Sequence, residues 1–194
     1  MLTAFTMNPY ADLIEPGLDS NTAFFPGQTQ SYVLAPPSGF RLDTDGAARE
    51  GYSLAFIPDQ QDYYEADIAI AATFLTEPDT DANIPFTRTV EADTASISEY
   101  YGPFTEIWPV DSMFNASGEI VPTVYVNNDS SFIPTVLVSY YDGGTEMLIL
   151  ELIISDTQPR FRAEAVFEEM LLRFKVLKNA SPDAVEQIGV AEPH

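Results

Sequence analysis

The sequence predicts an α+β protein, an α/β/α sandwich with a central, mostly antiparallel sheet, and three observations predict it. Segments of alternating apolar residues follow one another at short spacing, two of them flank a Gly-Gly turn, and a strand apolar on both sides precedes an amphipathic helix. The third observation decides the layering. Met147 to Ile154 is apolar on both parities apart from Glu151, so neither face of that strand can be wet along its length and the sheet needs cover on both sides.

Taken in order, residues 1 to 30 mix Pro9, Pro16, Gly17, Pro26 and Gly27 with scattered apolar residues and show neither period two nor period 3.6, which predicts an irregular lead-in. Ser31 to Ala35 reads as a short strand, broken by Pro36-Pro37-Ser38-Gly39 because two prolines remove two ladder donors and a glycine supplies a turn conformation. Phe40 and Leu42 resume on one face. Gly51 to Ile57 and Ala66 to Leu75 read as strands, the second with Ile68, Ile70, Ala72 and Phe74 alternating onto one side. Val90, Thr94, Ile97 and Tyr101 recur at helical spacing after a loop from Glu77 to Pro85, and Gly102-Pro103 stops that helix. Phe104 to Val110 and Glu119 to Val126 read as strands joined by a hairpin turn at Asn115 to Gly118, and Phe132 to Tyr141 and Thr145 to Ile154 flank Asp142-Gly143-Gly144. A last helix starts near Pro159 and carries Val166, Phe167, Met170, Leu171, Phe174 and Leu177 as an apolar stripe. Its early Glu164, Glu168 and Glu169 and late Arg173, Lys175 and Lys178 suit the helix dipole. Residues 31 to 178 form one domain, with 179 to 194 as a docked or frayed tail.

Tyr32-Val-Leu-Ala-Pro-Pro-Ser-Gly-Phe40, Gly51 with Phe56-Ile57-Pro58, the paired strands and the closing Phe167-Glu-Glu-Met-Leu-Leu-Arg-Phe174 helix together resemble the PsbP/Mog1-like superfamily. The resemblance covers about residues 30 to 178 and rests on element order and one proline-glycine-aromatic turn. It implies an antiparallel sheet sandwiched by helices. Members serve as accessory subunits of photosynthetic complexes, as a nuclear-transport cofactor and as envelope proteins, so the resemblance implies an exported, periplasmic or secreted, non-catalytic accessory or binding role. It brings no catalytic motif that maps onto positions of this chain.

Charge narrows the partners. The chain carries 30 Asp and Glu against 8 Lys and Arg, a net charge of −22, and nearly all of the excess precedes the last helix. Residues 1 to 159 hold 24 acids against Arg41, Arg49 and Arg88, whereas residues 160 to 194 hold 6 against Arg160, Arg162, Arg173, Lys175 and Lys178. Such a surface repels phosphates and anionic lipid headgroups, which argues against nucleic acid and membrane partners. It suits either a saline environment or docking of a basic protein, as an acidic neutralising partner, immunity-like, would do. No apolar run approaches the roughly eighteen residues of a membrane helix, so no membrane insertion is expected. Met1 to Met7 is apolar but lacks a basic n-region and a long enough h-region for a signal peptide, which is expected either of a cytoplasmic protein or of an exported one whose signal is trimmed.

Chemistry is sparse. The absence of cysteine excludes disulfides, thiolate metal sites and a cysteine nucleophile. His194 is the sole histidine and the last residue, which disfavours a catalytic triad, and no G-x-S-x-G, P-loop, G-x-G-x-x-G or H-E-x-x-H motif occurs. Asp79-Thr-Asp81-Ala-Asn83 spaces oxygen ligands as a calcium loop begins, but Ile84 stands where the loop needs glycine and Val90 where it needs glutamate. Asp43-Thr44-Asp45-Gly46 reads first as turn chemistry. Tyr63-Tyr64, Tyr100-Tyr101, Trp108 and Tyr140-Tyr141 are expected to split between core and rim rather than to line one groove. Asn115-Ala-Ser117, Asn128-Asp-Ser130 and Asn179-Ala-Ser181 fit the glycosylation pattern. The expectation is therefore no catalytic, cofactor-binding or metal-ligating residue and no cofactor. A carboxylate- or metal-dependent hydrolase built on Asp79 and Asp81 is the enzymatic alternative.

Overall fold

A computed structural model describes residues 21–27, 30–76, 86–102, 105–110, 113–128, 135–142, 146–155 and 160–178. In chain order these form β1 (Ala23–Pro26), β2 (Gln30–Leu34), β3 (Phe40–Asp43), α1 (Asp45–Arg49), β4 (Leu54–Pro58), a short 3-10 turn at Tyr63–Glu65, and β5 (Ile68–Thr76). There follow α2 (Phe86–Tyr101), β6 (Thr105–Val110), β7 (Thr123–Asn128), β8 (Thr135–Asp142), β9 (Glu146–Ile154), α3 (Arg160–Leu171) and β10 (Lys175–Lys178). Seven strands make one sheet in the order β3-β4-β5-β9-β8-β7-β6, with every neighbouring pair antiparallel. The strand that is apolar on both parities, β9, is the fourth of the seven.

Its two faces are covered as that pattern requires. Leu148, Leu150 and Leu152 share a core with Ala163, Phe167, Met170 and Leu171 of α3, while Met147 and Ile149 meet Ile97 of α2 on the opposite face. Farther along that second face, Ile153 packs against a cluster containing Ala47 of α1. The exception, Glu151, accepts a 3.5 Å hydrogen bond from Tyr52 Oη. The fold is thus an α+β sandwich with helices on both sides of an antiparallel sheet.

Two sequence expectations differ from the structure. Within the supposed irregular lead-in, Ala23–Pro26 forms a strand; β1, β2 and β10 build a separate three-stranded sheet that adds Ala23, Phe25, Tyr32 and Leu34 to the core under α3. Four residues are too short for a period-two signal, and the pairing of Ala23 with Leu34 through Pro26 with Ser31 supplies what the pattern lacks. At the other end, the final helix stops at Leu171 rather than running through Leu177. The N–H of Phe174 reaches Met170 O and Leu171 O at 3.0 and 3.1 Å, which tightens the last turn, and Lys175–Lys178 then pairs with Val33 to Gln30. Leu177 is 45% exposed, so it was never part of the buried stripe. The dipole argument fails with it: α3 opens on Arg160 and Arg162, and Arg173, Lys175 and Lys178 lie beyond its end.

Local chemistry explains several boundaries. Gly39 has φ +79° in the turn after Pro36-Pro37, a conformation that favours glycine. Glu169 pins that turn to α3 by accepting from Ser38 N–H at 3.1 Å and Ser38 Oγ at 2.9 Å while pairing with Arg173 at 2.6 Å. The Ser38 bonds hold the Glu169 carboxyl below its ordinary value. Asp43-Thr44-Asp45-Gly46 is the start of α1 rather than a free turn, with Asp43 Oδ1 accepting the Gly46 N–H at 2.8 Å. A methyl group on Gly46 would stand 2.5 Å from Tyr63 Cβ and 2.9 Å from its Cγ. Gly46→Ala is therefore expected to lose about 1–3 kcal/mol in a urea titration, although alanine favours a helix by about 1 kcal/mol over glycine. Neither Tyr63 Cβ nor Cγ is the far end of a flexible side chain, so the clash outweighs the propensity. The β8–β9 hairpin pairs as expected from Asp142 with Met147 onward, while Gly143 and Gly144 lie outside the described residues.

Candidate functional site

The β6–β7 end of the main sheet gathers exposed apolar side chains. Gly102, at φ +93°, ends α2 by donating its N–H to Ser98 O at 2.9 Å, and its carbonyl accepts the Thr105 N–H at 3.1 Å. So tight a reversal lays β6 directly beside the helix that precedes it. Asp93 fixes α2 from the other side, accepting a 2.6 Å hydrogen bond from Tyr140 Oη, and Ile97 packs on the sheet below it.

Between helix and strand runs an open groove of about 430 Å³, walled by Glu91, Thr94, Ala95 and Ser98 and floored by Ile107, Pro109 and Val124, with Trp108 at its lip. Thr94 Oγ1 donates to Glu91 O at 3.0 Å. Pro109 sits within the edge strand, where it carries no N–H, and the Thr105 N–H is already taken. A further strand would find few donors along this border.

On the opposite side of β6, Trp108 stacks on Tyr125 with ring centroids 5.0 Å apart and planes at 20°. The Arg160 guanidinium covers Tyr125 at 4.5 Å from the ring centre, and Arg160 donates to Val126 O at 3.4 Å. Burial raises the Tyr125 phenol above its ordinary value, opposed by the Arg160 charge. Trp108 stays 41% exposed, and Phe161, next to Arg160, is 75% exposed. Beyond β6 the chain forms a small hairpin in which Met113 and Val121 point into the core while Phe114 and Ile120, paired across it, point out at 43% and 63% exposure. Four of the seven exposed large apolar residues among those described therefore lie on β6, this hairpin and the start of α3.

The hairpin turn expected at Asn115 to Gly118 is present, and the paired strand β7 starts only at Thr123. Asn115 is 4% exposed; its Oδ1 accepts the N–H groups of Ser117 and Glu119 at 2.9 and 3.0 Å and its Nδ2 donates to Glu119 at 2.9 Å. Folding thus buries this asparagine and engages both ends of its amide. Among the aromatic pairs, Tyr140 and Tyr141 are buried, Tyr63 is half-buried and edge-on to the exposed Tyr64, and the side chains of Tyr100 and Tyr101 lie outside the described residues. Burial, with the Glu50 and Glu151 charges, raises the Tyr63 phenol to about 12. Among the aromatic candidates whose side chains are described, Trp108 is the one that borders the groove.

A second, more enclosed cleft of about 310 Å³ lies between α3 and the turn at Ser38, lined by Gln61, Asp67, Arg162 and Val166 among others. Asp67 is satisfied there, accepting from Gln61 Nε2 at 3.1 Å and donating its own N–H to Gln61 Oε1 at 3.0 Å. Asp79, Asp81, Asn83, Asn179 and His194 lie outside the described residues. Among the described residues no group of three or more acids and histidine is placed to hold a metal ion.

An antiparallel sheet flanked by helices on both faces is the class of protein the fold defines. No protein family model matches the chain, and no curated protein matches it in sequence. Among solved structures, the solution structure of cyanobacterial PsbP (CyanoP) from Synechocystis sp. PCC 6803 is similar. The match has a TM-score of 0.46 and 11% identity and covers 84% of this chain and 96% of that one. No helix among the described residues is long and apolar enough to cross a membrane.

Proposed function

We propose that the protein is a non-catalytic binding or accessory protein that holds another protein at the β6–β7 end of its sheet. The observation that supports this reading is the exposure of Trp108 on β6, of Phe114 and Ile120 on the hairpin that follows it, and of Phe161 next to the Arg160 that covers Tyr125. Exposed apolar groups gathered on one border mark contact surfaces, and aromatic side chains dominate their energetics. Kinship with the PsbP/Mog1-like superfamily, and with it a periplasmic or secreted location, belongs to the same proposal and rests on the sequence resemblance.

The immobilised protein should retain a partner from native extract that the Trp108→Ala, Phe161→Ala double variant releases, with the partner identified by mass spectrometry and rebound in purified form. Equal capture by both proteins, or robust turnover by the wild type in a hydrolase substrate screen, refutes the reading. Cell fractionation checks the location, with recovery in the cytoplasm counting against it.

A second reading, an acidic neutralising partner of a basic protein, is favoured by the charge of the chain from α2 through β9. From residue 91 to residue 159 the chain contains no Lys or Arg, and that stretch holds Glu91, Asp93, Glu99, Glu106, Asp111, Glu119, Asp129, Asp142, Glu146, Glu151 and Asp156. A partner bound through this charge is expected to wash off between low and high salt.

A further inference from the structure

We infer that the groove between α2 and β6 is the docking site for a cationic amphipathic segment of a partner protein, its apolar side chains seated on Ile107, Pro109 and Val124 and its lysines or arginines facing Glu91 and the neighbouring acids. The inference deepens the second reading above and rests on it.

Three observations converge on that occupant. The groove has an apolar floor, and its helical wall is built of small side chains at Thr94, Ala95 and Ser98, so it takes up side chains rather than presenting a flat polar surface. The residues that line it all come from the stretch 91 to 159, which holds no Lys or Arg, and Glu91 in its wall and Glu99 farther along α2 are exposed. A neutral apolar segment would leave that field unanswered and an acidic one would be repelled, whereas lysine or arginine complements it. Pro109 and the engaged Thr105 N–H leave the strand border short of donors, which favours side-chain seating in the groove over addition of a strand.

Binding of end-labelled peptides is read by fluorescence anisotropy, because the Trp108 ring stacks on Tyr125 on the face of β6 opposite the groove. Three synthetic peptides of equal length serve as probes: an amphipathic lysine–leucine peptide, a lysine–serine peptide of the same charge, and a glutamate–leucine peptide. The lysine–leucine peptide is expected to bind saturably and at least tenfold tighter than the lysine–serine peptide, with no binding of the glutamate–leucine peptide. Ala95→Phe, a substitution at an exposed helix position that fills the groove, and Glu91→Lys should each weaken the lysine–leucine peptide at least tenfold, with folding confirmed by circular dichroism. Equal affinity for both lysine peptides, or unchanged affinity in Ala95→Phe, overturns the inference by reducing the attraction to unlocalised charge. The two readings fail separately. A basic partner that Ala95→Phe captures as well as the wild type removes the groove and leaves the binding role, whereas failure to capture any salt-sensitive basic partner removes the role.

Discussion

Phe167→Ala is expected to destabilise the protein by about 3–5 kcal/mol and to lower its Tm by about 6–20 °C for a chain of this size, as read by thermal and urea melts. Phe167 is fully buried, and it lies where α3 meets the central strand and the core of the three-stranded sheet. Truncation removes its own transfer free energy and leaves a void between elements held by many other contacts, so the surroundings cannot collapse to fill it. The exposed Phe161 on the same helix supplies the contrast: its alanine variant should shift stability by less than about 0.5 kcal/mol. Similar losses at the two positions would mean that α3 does not pack on β9 as described.

Alkaline titration is the second large effect. Burial raises the Tyr140 phenol above its ordinary value, reinforced by its hydrogen bond to Asp93, and burial followed by the Glu119 charge raises Tyr141. A raised folded-state value means that the neutral phenol is favoured in the fold. The stabilisation is therefore complete below the unfolded value of about 10 and is lost as pH climbs above it, because the unfolded chain then releases protons that the folded chain keeps. These two phenols should lower stability by about 3 kcal/mol per pH unit above roughly pH 10, the half-buried Tyr63 adds to the fall up to about pH 12, and urea melts across that range measure the slope. Tyr141→Phe should reduce the slope by about 1.4 kcal/mol per pH unit. Because Tyr141 Oη makes no hydrogen bond among the described residues, that variant should also gain about 1 kcal/mol at neutral pH. A flat profile to pH 12 would show that these phenols are hydrated.

Long, strongly patterned segments were legible in the sequence. The β8–β9 hairpin, the central position of β9 and the helical cover on both faces follow from the two-sided apolar run at Met147 to Ile154, since a strand without a wet face has nowhere else to lie. Short elements were not legible. At Ala23–Pro26 and Lys175–Lys178 the local pattern is weak, and both became strands through pairing with β2. Leu177 fits the helical stripe by spacing alone, and the turn at Phe174 takes it out of the helix. For the candidate site, the acid excess could be counted in the sequence, while the groove could not: it depends on how closely Gly102 folds β6 against α2.

By itself, then, the order of residues determined a layered antiparallel sandwich, an acidic surface and the absence of any thiol chemistry, because periodicity, charge and composition act locally or in sum. Only the tertiary structure decided that Trp108, Phe114, Ile120 and Phe161 stay exposed while Met113 and Val121 turn into the core, and that an apolar groove opens between α2 and β6. Side chains distant along the chain become neighbours through strand pairing and helix packing, and those depend on long-range burial that no local window contains.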